Sequence, residues 1–245
     1  MAANILIGIP AFGNMVSVAT LNTTHALIQM FASKGIRGGI AAFSYPDIAE
    51  SRNIMLTGWY DGCPDATHLL FIDNDMGFPP NLIADMLVFD EPIIGTMCPK
   101  KTIPIQWAGS GLPEAEVKRR GDFITVGGIG MAICLIRRDA IDIMLKKMPE
   151  LSDTRMEFHA AKEMLGQRII RAFDQFDNPD NAIAGKMSED LSFCQRWRDC
   201  GGDVWASVAY EIEHVGQYSY KGCYARYVVE REAAKEAEAL KQAAE

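Results

Sequence analysis

The chain has 245 residues, of which 49% are hydrophobic, and carries a formal net charge of −8. That apolar share excludes a disordered chain and leaves room for one large α/β domain or two small ones. The acidic balance, with no basic run longer than Lys118-Arg119-Arg120, excludes the concentrated cationic face of a dedicated nucleic-acid binder.

In chain order, Asn4–Ile9 reads as a buried strand ending at Pro10, and Ala11-Phe12-Gly13-Asn14 as the loop behind it. A helix is predicted from about Val16 to Ser33, closed by Lys34-Gly35 as a basic last turn and glycine stop. Ile40–Phe43 is a short strand, and Asp47–Trp59 a helix with Ile48, Ile54, Met55 and Trp59 as candidate core positions. Leu69–Ile72 is an unbroken apolar run, the pattern of a strand buried on both faces. Pro79-Pro80-Asn81 opens a helix that runs to about Phe89, and Pro92–Met97 is the next strand. This alternation over the first hundred residues predicts a parallel, doubly wound sheet.

Beyond Pro99-Lys100-Lys101 the rhythm changes, with strands expected at Ile103–Gly109, Phe123–Val126 and Ala132–Ile136 and no long helix between them. Arg138–Met148 is an amphipathic helix, Met156–Phe173 has helical character, and Asp174–Asn181 is a polar loop that does not match a calcium-binding loop. Ser188–Cys200 is a helix with Ser188 as its cap and Gly201-Gly202 as its stop. Val204–Glu213 forms one or two strands that end at His214-Val215-Gly216. The tail from about Tyr227 to Glu245 has helical propensity without a clean apolar stripe.

Six cysteines stand singly with no C-x-x-C, which suits reduced thiols, and Cys194, Cys200, His214 and Cys223 fit no zinc spacing. No apolar run approaches the length of a membrane span and no basic n-region opens the chain, so a soluble, cytoplasmic protein is expected.

The chemistry concentrates in three places. Asp73 and Asp75 follow the buried strand two residues apart, so in an extended chain they point the same way. They stand beyond a strand's carboxyl end, where open α/β sheets bind ligands, and offer hard oxygen donors for Mg²⁺ or Mn²⁺. His214 also ends a strand, and a neutral imidazole ligates divalent metals. Glu189-Asp190 sits in the first turn after Ser188, where acids either complement the helix dipole or accept a proton from a substrate hydroxyl. Gly127-Gly128-Ile129-Gly130 has no helix directly behind it, so a dinucleotide site is not expected; close backbone approach to something bound is.

Four blocks, in this order, resemble a glycosyltransferase of the GT-A fold, of the family 2-like group seen in microbes and their viruses. They are Ile5–Gly13, Leu69–Met76, Gly130–Arg138, and Ser188–Cys194 with the later His214-Val215-Gly216. The resemblance implies an α/β fold with a mostly parallel central sheet flanked by helices. Residues 1–226 would form one catalytic domain, with 1–100 as the nucleotide-binding half and 101–226 as the acceptor half, and 227–245 a polar C-terminal helix or tail. It further implies a nucleotide-diphosphate sugar donor, a glycan or other hydroxyl acceptor, and Mn²⁺ or Mg²⁺ as cofactor. Asp73, Asp75 and His214 then fall at the metal, with Pro10, Ala11, Arg52, Asp73 and Asn74 around the nucleotide. Asp190 matches the general base of inverting members, with Glu189 beside it, and Gly128–Met131 the acceptor side. No Q-x-x-R-W block is present, which argues against a processive synthase. Two alternatives remain open: a nucleotidyltransferase on a similar sheet, disfavoured by the lack of Lys or Arg in Pro10–Asn14, and a non-catalytic nucleotide- or glycan-binding module.

Overall fold

The computed structural model of the chain describes residues 3–157, 159–178 and 185–242. Its first part alternates as the hydrophobic pattern predicts: β1 (Asn4–Pro10), α1 (Val18–Ser33), β2 (Arg37–Phe43), α2 (Ile48–Gly62), β3 (His68–Ile72), β4 (Met76–Gly77), α3 (Asn81–Phe89) and β5 (Ile93–Thr96). Short strands follow as β6 (Cys98–Pro99), β7 (Trp107–Ala108), β8 (Arg119–Arg120), β9 (Phe123–Val126) and β10 (Ile133–Arg137). The rest is α4 (Arg138–Lys147), β11 (Ser152–Asp153), the single turn α5 (Lys162–Leu165), β12 (Ile169–Ile170), α6 (Glu189–Asp199), β13 (Val204–Ser207), β14 (Glu211–Val215), β15 (Ser219–Cys223) and α7 (Tyr224–Gln242). Helix starts follow side-chain chemistry. Ser17 Oγ accepts from Thr20 N at 3.1 Å and Asp47 Oδ1 from Glu50 N at 2.8 Å, caps worth about 1 kcal/mol each.

The central sheet has the order β2-β1-β3-β10-β5-β13-β9-β8. β1 pairs in parallel with β2 and β3, and β13 with β5, whereas β10 is antiparallel to both β3 and β5, and β9 to both β13 and β8. Six strands therefore run one way and two run against them. This is the mostly parallel sheet flanked by helices that the resemblance implies, a GT-A-like arrangement.

The unbroken apolar runs are explained by burial on both faces. On one side Leu69, Phe71, Cys134 and Ile136 pack with α2, α4 and α6 through Met55, Leu56, Trp59, Ile141, Phe193 and Trp197. On the other, Leu70, Ile72, Ile133 and Leu135 pack with α1 and α3 through Leu27, Phe31, Leu82 and Met86. Neighbours along β3 and β10 alternate between these two cores, so no residue in either run faces water.

Several expectations are corrected. The sheet is not a simple doubly wound one, because β10, from the second half, enters between β3 and β5. The strand expected over Ile103–Gly109 shrinks to Trp107–Ala108, since Lys100 N donates to Gln106 O at 2.6 Å and closes a loop that leaves Ile103 80% exposed. Among the described residues of Met156–Phe173 the helix shrinks to the single turn α5 (Lys162–Leu165). His159 and Arg171 both pair with Glu50 on α2, and Arg171 also reaches Asp153, so tertiary ion pairs hold this segment in irregular form. Ile48 lies on the exposed side of α2, while Ile54, Met55 and Trp59 are buried. Of the polar loop, Pro179–Asn181 lie outside the described residues, as do the last three residues of the tail. Within α7 no residue is buried. Among the described residues no helix is long and apolar enough to cross a membrane.

Candidate functional site

The site lies beyond the carboxyl end of β3. Asp73 leaves the strand with its N–H on Ala132 O at 2.9 Å, and the chain then turns through Asn74 and Asp75 before β4. The turn breaks the alternation that an extended chain would give. The two carboxylates therefore face different partners. Asp73 Oδ1 accepts from Arg52 Nη2 at 3.0 Å, whereas Asp75 Oδ2 accepts from Lys101 Nζ at 2.5 Å.

His214 comes to Asp75 through strand pairing. β14 lies antiparallel to β4, with His214 opposite Met76, and Val215 N donates to Asp75 O at 2.8 Å. The His214 Nδ1 bonds the carbonyl of Pro99 at 2.8 Å. A carbonyl only accepts, so Nδ1 carries hydrogen and Nε2 is directed at Asp75 Oδ1, 3.4 Å away. Burial works against both charges, yet their mutual contact prevails. The hydrogen bonds from His214 and Lys101 hold Asp75 below the usual carboxylate value, and Asp75 with the Pro99 carbonyl holds His214 above the usual imidazole value.

Arg52 ties this corner to the start of α6. Its guanidinium, 3% exposed, donates to Asp73 and, through Nη1, to Glu189 Oε1 at 2.6 Å. Burial opposes its charge, but Asp73, Glu189 and Asp190 outweigh that and raise it above the usual arginine value. Burial raises the Glu189 carboxyl despite the pull of Arg52, and Asp190 adds to the rise. Among the described residues Arg52 Nε has no partner.

Asp190 stands one residue further on. Ser188 precedes the helix as expected, but its hydroxyl makes no cap bond to the backbone; it donates to Asp190 Oδ1, which also accepts from Leu191 N at 2.8 Å. The other oxygen, Oδ2, faces Gly130, 3.5 Å from where a Cβ would stand, so the glycine leaves it uncovered on that side. Gly128 has a different purpose from the one its sequence suggests. A Cβ there would meet Leu191 Cδ2 at 2.7 Å, so the close approach is to α6 itself. Asp190 belongs to the same end of the sheet as the acidic pair: Arg52 joins Asp73 to Glu189, the residue before it, and Gly130, which its Oδ2 faces, lies two residues before Ala132, the acceptor of the Asp73 N–H.

The nucleotide-side residues are placed as follows. Pro10 ends β1 in the wall of a cavity of about 170 Å³ that it shares with Phe12, Tyr45, Pro46, Ile48 and Ser51. Ala11 is buried, with its N–H on Phe43 O at 2.8 Å. Asn74 accepts from Ser17 N at 2.7 Å through its carbonyl and donates to Met15 O at 2.7 Å through its side chain, clamping the β1–α1 loop. Arg52, assigned by resemblance to the nucleotide, is buried between two carboxylates. The reason is electrostatic: a guanidinium so far from water is held by fixed anions.

Among the described residues no group of three or more His, Cys, Asp and Glu side chains is set to hold a metal ion. The protein's donors at one point are two, Asp75 and His214 Nε2, while Asp73 is turned to Arg52. A carboxylate and an imidazole steadied by a backbone carbonyl are donor types that fit a divalent cation. Sequence reasoning missed Lys101, Ser188 and Ser51. The signal for Lys101 was present, since Lys100-Lys101 is the one adjacent basic pair among residues 1–117 and follows a buried strand. Ser51 Oγ, buried and without a partner among the described residues, has no sequence signal.

No protein-family model matches the chain, and no curated protein matches it. Among solved structures, A197 from STIV is similar at 17% identity, covering 87% of this chain and 86% of that one with a TM-score of 0.47. A glycosyltransferase involved in the glycosylation of the major capsid of PBCV-1 is similar at 10% identity, covering 58% of this chain and 63% of that one, with a TM-score of 0.34. HddC from Yersinia pseudotuberculosis, complexed with GMP-PN, is similar at 9% identity over 81% of this chain and 97% of that one, with a TM-score of 0.32.

Proposed function

We propose that the chain is a metal-dependent glycosyltransferase that moves a sugar from a nucleotide-diphosphate sugar to an acceptor hydroxyl with inversion at the anomeric carbon. The observation that carries this reading is the meeting of Asp75 and His214 Nε2, 3.4 Å apart, at the end of the sheet where Arg52 also joins Asp73 to Glu189, the neighbour of Asp190. Segments distant in the chain supply those groups. The four-block resemblance gives the same residues the same parts.

Asp75 and His214 would hold Mn²⁺ or Mg²⁺, which when bound supplies a Lewis acid beside the leaving diphosphate. The nucleobase would enter the slot walled by Pro10, Phe12, Tyr45 and Pro46, where the aromatic rings of Phe12 and Tyr45 suit a planar heterocycle. Asp190 Oδ2 takes the proton of the acceptor hydroxyl. As it does so, the acceptor oxygen bonds to the anomeric carbon and the bond from that carbon to the diphosphate oxygen breaks, the electron pair leaving with the diphosphate. Ser188 and the Leu191 N–H fix Oδ1 and so aim Oδ2. Glu189 keeps Arg52 in place, and Arg52 keeps Asp73.

The test is turnover of UDP- and GDP-sugars with Mn²⁺, with EDTA, and in Asp75→Ala and Asp190→Asn. Chelation and Asp75→Ala should abolish turnover, and Asp190→Asn should lower it by about 10²–10⁴-fold, the usual worth of a positioned base. Unchanged turnover in both variants would refute the assignment.

A further inference from the structure

Asp75 is shared in a way that the proposed chemistry does not require. Its two oxygens are divided, Oδ1 toward His214 Nε2 at 3.4 Å and Oδ2 bonded to Lys101 Nζ at 2.5 Å. One short stretch sets both partners: Pro99 orients the imidazole through its carbonyl, and Lys101 follows two residues later in the loop before β7. Room for the lysine stem is made by Gly216, directly after β14. A Cβ at that position would come within 3.1 Å of Lys101 Cδ and 3.3 Å of Tyr220 Cε2. The ammonium is thus led to the carboxylate between the loop and the β14–β15 turn.

We infer that Lys101 is a resident cation that holds Asp75 Oδ2 in the donor-free protein, keeps divalent metal out until a nucleoside diphosphate arrives with it, and then gives its charge to that diphosphate. The inference rests on the metal-dependent reading above and concerns the order in which its site fills. One oxygen does not serve an ammonium and a divalent cation together, because the two positive charges would stand at contact distance. Metal alone would add two positive charges beside a carboxylate whose single negative charge Lys101 already balances. Metal with a diphosphate brings its own negative charge, and the displaced ammonium, on a flexible four-carbon stem with three donors, finds acceptors beside the place it left. Lys101 is 39% exposed, so this movement needs no unfolding of the core.

The experiment measures Mn²⁺ uptake by electron paramagnetic resonance of the free ion, using the full chain without nucleotide and then with UDP or GDP. Wild type is compared with Lys101→Met and Lys101→Arg, with circular dichroism showing that each is folded. Without nucleotide, Lys101→Met should bind Mn²⁺ about five- to tenfold more tightly than wild type, the size of one lost partly buried ion pair. Lys101→Arg should keep the weak uptake of the wild type. With UDP or GDP the order should reverse, the methionine variant taking up the metal–nucleotide pair less well. Adding Asp75→Asn to Lys101→Met should erase the gain. Equal Mn²⁺ binding by wild type and Lys101→Met without nucleotide overturns the inference, as does a gain that survives Asp75→Asn. If sugar transfer depends on Mn²⁺ while those affinities are equal, only the inference falls. If no variant takes up Mn²⁺ with or without UDP or GDP, the metal-dependent reading falls with it.

Discussion

Replacing Arg52 by methionine tests whether the corner between α2, the acidic turn and α6 is held by charge. The guanidinium is 3% exposed and bridges Asp73 at 3.0 Å and Glu189 at 2.6 Å. Methionine keeps most of the stem volume but leaves two carboxylates facing each other with the one positive charge between them removed. Removing one partner of a buried pair costs about 3–5 kcal/mol. Asp73 and Glu189 are 28% and 14% exposed, so partial hydration places the loss near the lower bound. Glu189 is already raised by burial and limits the loss further by taking up a proton. About 3 kcal/mol corresponds to a fall in Tm of roughly 6–12 °C for a chain of this size. Thermal and urea unfolding at pH 7 measure it directly. The double variant Arg52→Met/Glu189→Gln should recover part of the loss, because the stranded carboxylate is gone. A single-variant loss below about 1 kcal/mol, or a double variant no better than the single, would refute a charge-held corner.

Two other perturbations follow from the packing around α2. Hydrogen bonds from the Arg155 side chain and backbone, and from Arg171, hold Asp153 well below the usual carboxylate value. A depressed carboxyl contributes stability above its unfolded value and loses it as pH falls, so the advantage of wild type over Asp153→Asn should be full at pH 7 and shrink below about pH 4. Equal gaps in urea midpoint at pH 7 and pH 3 would contradict this. Phe173 is fully buried, stacked on Phe193 at 4.6 Å and edge-on to Phe71 at 5.6 Å. Phe173→Ala should cost about 3–5 kcal/mol in equilibrium unfolding. A loss under about 1.5 kcal/mol would mean that the segment packs loosely on the sheet.

The sequence by itself determined the local elements and the polar ends of strands. Leu69–Ile72 is apolar at every position because both of its faces are covered, and Ser17 and Asp47 place helix starts through bonds within three residues. The acids at 73, 75 and 190 and the imidazole at 214 were legible as candidates because each stands at or just beyond the end of an element that the sequence predicts. What no local pattern carries is which distant group faces which. Tertiary structure alone decided that β10 enters between β3 and β5, and that the described part of Met156–Phe173 keeps a single helical turn while His159 and Arg171 pair with Glu50 and Asp153. It alone turned Asp73 to Arg52 and Asp75 to Lys101 and His214. Periodicity follows from the backbone geometry of single elements, whereas partner choice is set by burial and charge summed over segments far apart in the chain, and only the folded arrangement brings those together.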